Sequence, residues 1–298
     1  MDVKPQTDRC ANSAPAGMSM SPGHSAKSEG ANTKPGQSET KDNPFGFAGF
    51  LVKVVLAVLI VRSFVIAPFS IPSDSMLPQL WQGDYLIASK WPYGYSRYSL
   101  PFNAPLIPDR VFASSPERGD VVIFKHPVDQ QDYIKRVIGV PGDTVAMQGG
   151  QIILNGAALA QTPLEDFAIP LTAISECPSG QWDSVGATGE VLCLLERAQE
   201  TFPSGHTSAV LNVANIPQDS FAPVTVPEGS VFVMGDHRDK SLDSRFPAQA
   251  ELGVGMVSQE YLVGRAEFIV WSTDGSAQWI KPWTWFSAAR WERIGTGL

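Results

Sequence analysis

Three regimes of hydrophobic patterning divide the chain. Residues 1–44 are rich in Ser, Gly, Pro, Ala, Lys and Asn and hold almost no large apolar side chain. Such a segment cannot bury enough surface to offset its ordering entropy, so a disordered tail is expected there. Residues 45–67 then form one apolar run, "FGFAGFLVKVVLAVLIVRSFVIA". As a helix its 23 residues would reach about 35 Å, enough to cross a bilayer core. Lys53 and Arg62 interrupt the run, each toward one end, where a long side chain can reach the nearer interface. From residue 68 on, the pattern shortens. "DYLIASK", "GDVVIF", "YIKRVIGV", "GDTVAM" and "SVFVMGD" are β-branched or apolar runs bounded by Gly, Pro and Asp, which predicts strands. Asn155-Gly156 between apolar runs predicts a hairpin turn. Residues 160–225 read as loop-rich, an insertion between strands of the main sheet.

The expected architecture is therefore mainly β. It comprises an antiparallel sheet domain over residues 68–298, with a smaller inserted β and loop region, on one N-terminal transmembrane helix. Alternatives for residues 45–67 are a buried helix of a soluble protein and a cleaved leader. A 44-residue lead and Pro68 directly after Ala67, the one small-residue stop, speak against cleavage. Lys27, Lys34 and Lys41 before the span favour a cytoplasmic N-terminus and an extracytoplasmic main domain. Near the end, Trp279, Trp283, Trp285 and Trp291 fit either a membrane interface or ordinary packing.

Composition narrows the chemistry. The 298 residues are 43% hydrophobic with a net charge of −8, so no basic face for nucleic acid is expected. The four histidines show no paired metal-ligand spacing, and neither a metal nor another cofactor is expected. Of the three cysteines, Cys10 sits in the tail, while Cys177 and Cys193 lie close together downstream. If the two ends of the chain occupy different compartments, Cys10 stays reduced and Cys177–Cys193 can form a disulfide; three free thiols is the alternative.

Three short stretches carry candidate chemistry. "IPSDSM", just past the apolar run, sets Ser73 and Ser75 two residues apart, so an extended backbone presents both hydroxyls on one side. A serine attacks only with a base beside it. In "DYIKRVIGV", strand alternation puts Lys135 on a face with Tyr133 and Val137, and Arg136 on the other with Ile134 and Ile138. Burial of that face would favour a neutral amine, able to take a proton; otherwise Lys135 is a surface residue. In "GDHRDKSLDSR", Asp243 and Arg245 can pair and Ser241 can orient an amine, or the stretch is a polar turn.

Taken together, and in this order, "IPSDSMLPQL", "GDYLIASK", "GDVVIFKHPVDQQDYIKRVIGVPGD", "GDHRDKSLDSR" and "LVGRAEFIVW" resemble the bacterial type I signal peptidases. These are membrane-bound serine endopeptidases of family S26 with a Ser/Lys dyad. The resemblance covers residues 50–272, most weakly across 160–225. It implies Ser75 as nucleophile and Lys135 as general base. Ser73 would join the Ser75 backbone N–H in the oxyanion hole, Ser241 would orient the lysine, and Asp243 with Arg245 would form a structural ion pair. Phe69, Ile71, Pro72, Met76, Leu86, Tyr133 and Ile134 would line pockets for small residues. The implied substrates are preproteins cut after an Ala-x-Ala type signal, by a monomer in the inner membrane, in contact with lipid. His237 and Lys240 depart from the family, which usually has asparagines there. A penicillin-binding acyltransferase is rejected: its Ser-x-x-Lys occurs here only as Ser38 to Lys41 in the tail, and Lys-Thr-Gly is missing. A membrane-tethered adaptor without catalysis would show no labelling of Ser75 by an acylating inhibitor.

Overall fold

A computed structural model describes residues 44–170, 184–185, 189, 191–278 and 280–298. The expected disordered tail, Cys177 and Trp279 lie outside the described residues. The first element is α1 (Pro44–Phe64), whose side chains are almost all exposed although they are apolar all round. A helix apolar on every face is suited to lipid rather than water, and residues Gly46–Phe64 are long and apolar enough to cross a membrane. The helix stops three residues short of the expected Ala67. Pro68 disfavours helical geometry at Ala67, and Ile66 already starts the first strand.

The strands follow in chain order. They are β1 (Ile66–Ser70), β2 (Asp84–Ser89), β3 (Val121–Lys125), β4 (Asp132–Gly139) and β5 (Thr144–Gln148). Next come β6 (Gln151–Leu154), β7 (Ala157–Ala158), β8 (Ala160–Pro170), β9 (Ser184–Val185) and β10 (Val191–Thr201). The last are β11 (Thr207–Leu211), β12 (Phe221–Thr225), β13 (Ser230–Met234), β14 (Val257–Ser258) and β15 (Leu262–Ser272). A short helix, α2 (Trp283–Ser287), lies near the end.

Among the described residues these strands build three antiparallel sheets. The main one has the order β1-β2-β15-β3-β4-β13-β14. A second runs β12-β5-β6-β7, and a third β11-β10-β8 with β9 on β10. β4 and β13 are neighbours in the main sheet, so everything between them in sequence is inserted. Within residues 160–225, expected to be loop-rich, the described residues are largely strand. β8 and β10 are 11-residue strands paired along most of their length. Their outward Glu, Arg, Gln and Thr side chains, with Pro163, mask the β signal that a strand buried on both faces shows plainly. The predicted hairpin at Asn155-Gly156 is present between β6 and β7, with φ of 53° and 80° at the two positions. Positive φ at both suits the right-handed twist of the flanking strands.

β3 is buried on both faces, at the middle of the main sheet. One face packs Val121 and Ile123 with Ile71, Met76, Leu80, Leu86, Ala266 and Ile269. The other packs Val122 and Phe124 with Val137, Val233 and Leu262. The 71–80 segment is thereby pressed onto the sheet by its own apolar side chains, carrying Ser73 and Ser75 with it. The inserted sheet adds a cluster of its own, where Leu77 meets Phe167, Ile169, Leu195 and Leu211 around a fully buried, disulfide-bonded Cys193.

Charge also ties the insertion down. Glu200 of β10 and Arg238 in the 235–245 loop are both buried and joined by two bonds of 2.8 and 2.6 Å. Arg238 spends a third donor on the Gly235 carbonyl at 3.1 Å. Removing one partner of such a pair leaves an uncompensated buried charge. Glu200→Ala is therefore expected to lower unfolding free energy by about 3–5 kcal/mol, read as a drop in the urea midpoint of the full chain in detergent.

Candidate active site

Two elements bring the first pair of groups together. Ser75 lies in the segment that leaves β1, and Lys135 lies in β4. Lys135 Nζ is 2.7 Å from Ser75 Oγ, and both residues are buried. Ser73 Oγ is 3.3 Å from Ser75 Oγ, on the exposed side of the pair. The two serines thus face one point, as their spacing predicts.

Burial of the amine has a direct electrostatic consequence. Lys135 is 4% exposed, and desolvation pushes its pKa down from 10.5 to about 8. Asp243 and then Asp236 pull the other way, and Arg245 adds to the depression. Desolvation outweighs the carboxylates because they are engaged elsewhere. Asp236 accepts two bonds of 2.7 Å from Arg136. Asp243 accepts from Arg245 at 2.9 and 3.0 Å and from the Gly235 N–H at 3.1 Å. The Tyr133 ring lies 5.7 Å from Nζ, on the face shared with Lys135.

The 235–245 loop is the scaffold behind the pair. The His237 N–H donates to the Ser75 carbonyl at 3.1 Å, fixing the serine backbone. Gly235 is required at its position: a Cβ there would lie 2.4 Å from the Ser75 carbonyl oxygen and 2.3 Å from Ser241 Oγ. Ser241 is buried close by, and its hydroxyl makes no hydrogen bond. The expected contact from Ser241 to the lysine is thus not formed in this structure, where the amine reaches Ser75 Oγ instead. The Asp243–Arg245 pair is formed as expected and fully buried.

Of the expected pocket residues, Ile71, Met76 and Leu86 are buried in one cluster, with Phe69 and Ile134 packed against it. Tyr133 packs with the cluster on the opposite face of the sheet. Pro72 is exposed.

The described histidines are engaged or shielded. His126 is buried, with Nδ1 accepting the Val128 and Asp129 N–H groups at 3.2 and 3.3 Å. His206 sits beside Arg136. The His237 ring is buried with neither nitrogen hydrogen-bonded, and burial pushes its pKa down to about 4.

Sequence reasoning missed two buried ion pairs, Arg136–Asp236 and Arg238–Glu200. A signal for the first was available. Arg136 alternates with Ile134 and Ile138, and an arginine on an apolar face needs a carboxylate. Glu200 carries no such signal, because its partner lies 38 residues away.

The family described as "Signal peptidase, peptidase S26" matches residues 45–271. Signal peptidase I of Rickettsia typhi is 34% identical over 237 residues, 76% of this chain and 80% of that protein. Signal peptidase I of Rickettsia conorii is 34% identical over 252 residues, covering 81% and 84% of the two chains. A solved signal peptidase I from Enterococcus faecalis is 25% identical, with 51% of this chain and 97% of that one covered and a TM-score of 0.27. The chain belongs to the signal peptidase family, peptidase S26.

Proposed function

We propose that Ser75 and Lys135 are the nucleophile and general base with which this membrane-bound serine endopeptidase removes signal peptides. The observation that carries the assignment is the 2.7 Å approach of a buried lysine amine to a serine hydroxyl. Neutral Lys135 takes the Ser75 proton as Oγ attacks the scissile carbonyl. The resulting oxyanion receives the Ser73 hydroxyl and the Ser75 N–H. The lysine, now an ammonium, protonates the departing amine of the mature protein, and an acyl-serine remains on the signal peptide. Lys135, neutral again, takes a proton from water as the water oxygen attacks the acyl carbon, and then gives that proton to the departing Ser75 Oγ, which releases the signal peptide and restores both residues. Ser241, with its unspent buried hydroxyl, is assigned to hold the amine while it is charged. Asp243 and Arg245 hold the loop that carries Ser241.

Lys135→Arg keeps length but not chemistry, since guanidinium stays protonated. Turnover of a preprotein with an Ala-x-Ala cleavage site is expected to fall about 10³-fold or more. An Arg variant with near wild-type turnover would end the dyad reading. The sign of the pH dependence follows from the same group. Below about pH 8 the amine is charged and idle, so kcat/KM should rise with unit slope up to about pH 8 and level off above it. A profile flat from pH 6 to 9 contradicts a lysine base.

Ser73→Ala removes one oxyanion donor and should cost about 10²–10³ in kcat with little change in KM. Ser73→Thr keeps a hydroxyl and should recover most of the loss. A KM effect alone would place Ser73 in substrate binding instead.

The pocket assignment predicts selection by size. Met76 and Leu86 are fully buried, so they form a floor rather than an opening. Ile71, Phe69, Ile134, Tyr133 and Pro72 would shape the walls. Replacing the residue before the cut by Leu should reduce cleavage about 10–100-fold through overpacking.

The remaining proposals concern placement. The lysines before α1 support a cytoplasmic N-terminus and a catalytic domain outside the inner membrane. Protease added to spheroplasts should then digest the catalytic domain; its protection would reverse the topology. An extracytoplasmic site also supports Cys177 as the disulfide partner of Cys193.

A further inference from the structure

At the foot of α1 the molecule holds a cavity of about 360 Å³ that the dyad does not use. Its lining comes from the last turns of α1, from β1, from the segment after β2, and from the facing ends of β3 and β4. The helix end is docked onto that segment. Tyr95 Oη donates to the Phe64 carbonyl at 2.8 Å, and the Lys90 N–H donates to the Val65 carbonyl at 3.0 Å.

The charges around the cavity do not balance. Arg62, Lys90 and Lys125 all line it, against a single carboxylate, Asp132. Asp132 is already paired with Lys125 at 2.9 Å. Lys90 is 6% exposed, and its ammonium has one hydrogen bond, to the Ser99 carbonyl at 2.8 Å. Among the described residues neither Arg62 nor Lys90 has a carboxylate within salt-bridge distance. Burial, and then Arg62, push the Lys90 pKa down to about 8, with Lys125 adding and Asp132 opposing. The lining also includes apolar Leu59, Ala67, Leu100 and Val263. Two surplus cations in a cavity with apolar lining, beside the end of a membrane-crossing helix, describe a site for a molecule that is anionic at one end and hydrocarbon at the other.

We propose that this cavity binds the phosphate group of an anionic membrane lipid, with the lipid's glycerol and first acyl carbons against Leu59 and Val263. The shared chemistry with free phosphate is the anion. The apolar lining and the position at the foot of α1 favour the lipid, and both rest on α1 spanning the membrane. Bound there, the headgroup would set the height of β1, and so of the cleft, above the bilayer. It would also relieve the repulsion between Arg62 and Lys90.

The test uses the full chain in neutral detergent, with phosphatidylglycerol and phosphatidylcholine added in equal amounts and bound lipid counted by native mass spectrometry. Phosphatidylglycerol should be retained about 10-fold or more over phosphatidylcholine, and Lys90→Met with Lys125→Gln should abolish that preference. Because Lys90 is buried, Arg62→Gln with Lys125→Gln provides a second variant whose changes lie at more accessible positions, and it should show the same loss. Ser75→Ala should keep the lipid, which separates this site from the dyad assignment. Both cation variants should keep wild-type KM for a preprotein in lipid-free detergent. Equal retention of the two lipids, or a preference unchanged in the variants, overturns the proposal. So does displacement by inorganic phosphate at the same concentration, which would make the site one for free anions. A raised KM in lipid-free detergent overturns it too, by assigning the cavity to the substrate cleft.

Discussion

Placing an ammonium ion inside a protein costs several kcal/mol unless it is paired, and this cost governs the molecule. Lys135 is buried without a carboxylate partner of its own, and its pKa falls to about 8. Part of the amine is thereby neutral near pH 8, where a lysine in water stays charged. The condition is demanding. The amine must be dry, it must sit within hydrogen-bond reach of a hydroxyl, and nearby carboxylates must not neutralise it by direct contact. Asp236 and Asp243 satisfy the last requirement because Arg136 and Arg245 occupy them first.

The fold serves that arrangement through ordinary packing. β4 carries Lys135 near the middle of the main sheet, with β3 and β13 on either side to keep water out. Ile71, Met76 and Leu80 press the serine segment onto the same sheet. The 235–245 loop closes the back, and only glycine at 235 lets it approach the Ser75 carbonyl. The insertion is part of this support. Glu200 grips Arg238, the Leu211 N–H donates to the Asp236 carbonyl, and Leu77 packs among the side chains of the inserted sheet. The inserted sheet therefore braces the loop behind the site.

The cationic cavity at the foot of α1 shares one physical feature with the Ser75–Lys135 pair: in both places burial lowers a lysine pKa to about 8. Lys135 has a serine hydroxyl at 2.7 Å. Lys90 instead shares its cavity with Arg62, whose guanidinium cannot lose its proton. Two buried lysines in one domain thus differ in what stands beside each of them.

Much was legible before any coordinates. The apolar run from Phe45, the period-two strands and the Asn155-Gly156 turn rest on local rules of burial, alternation and backbone freedom, so they needed no knowledge of the rest of the chain. The two serines spaced by one residue, Lys135 on an alternating strand, and Asp243 with Arg245 are also local patterns, and together they carried the family resemblance. What sequence could not decide was which charged groups are buried together. Lys135 meets Ser75 from 60 residues away, Arg136 meets Asp236 across 100, and Arg238 meets Glu200 across 38. The free hydroxyl of Ser241 and the strands of the insertion belong to the same class. Desolvation and hydrogen-bond pairing depend on distance in space, and that distance is set by how the sheets pack, so only the tertiary structure could bring a dry strand lysine to a serine hydroxyl.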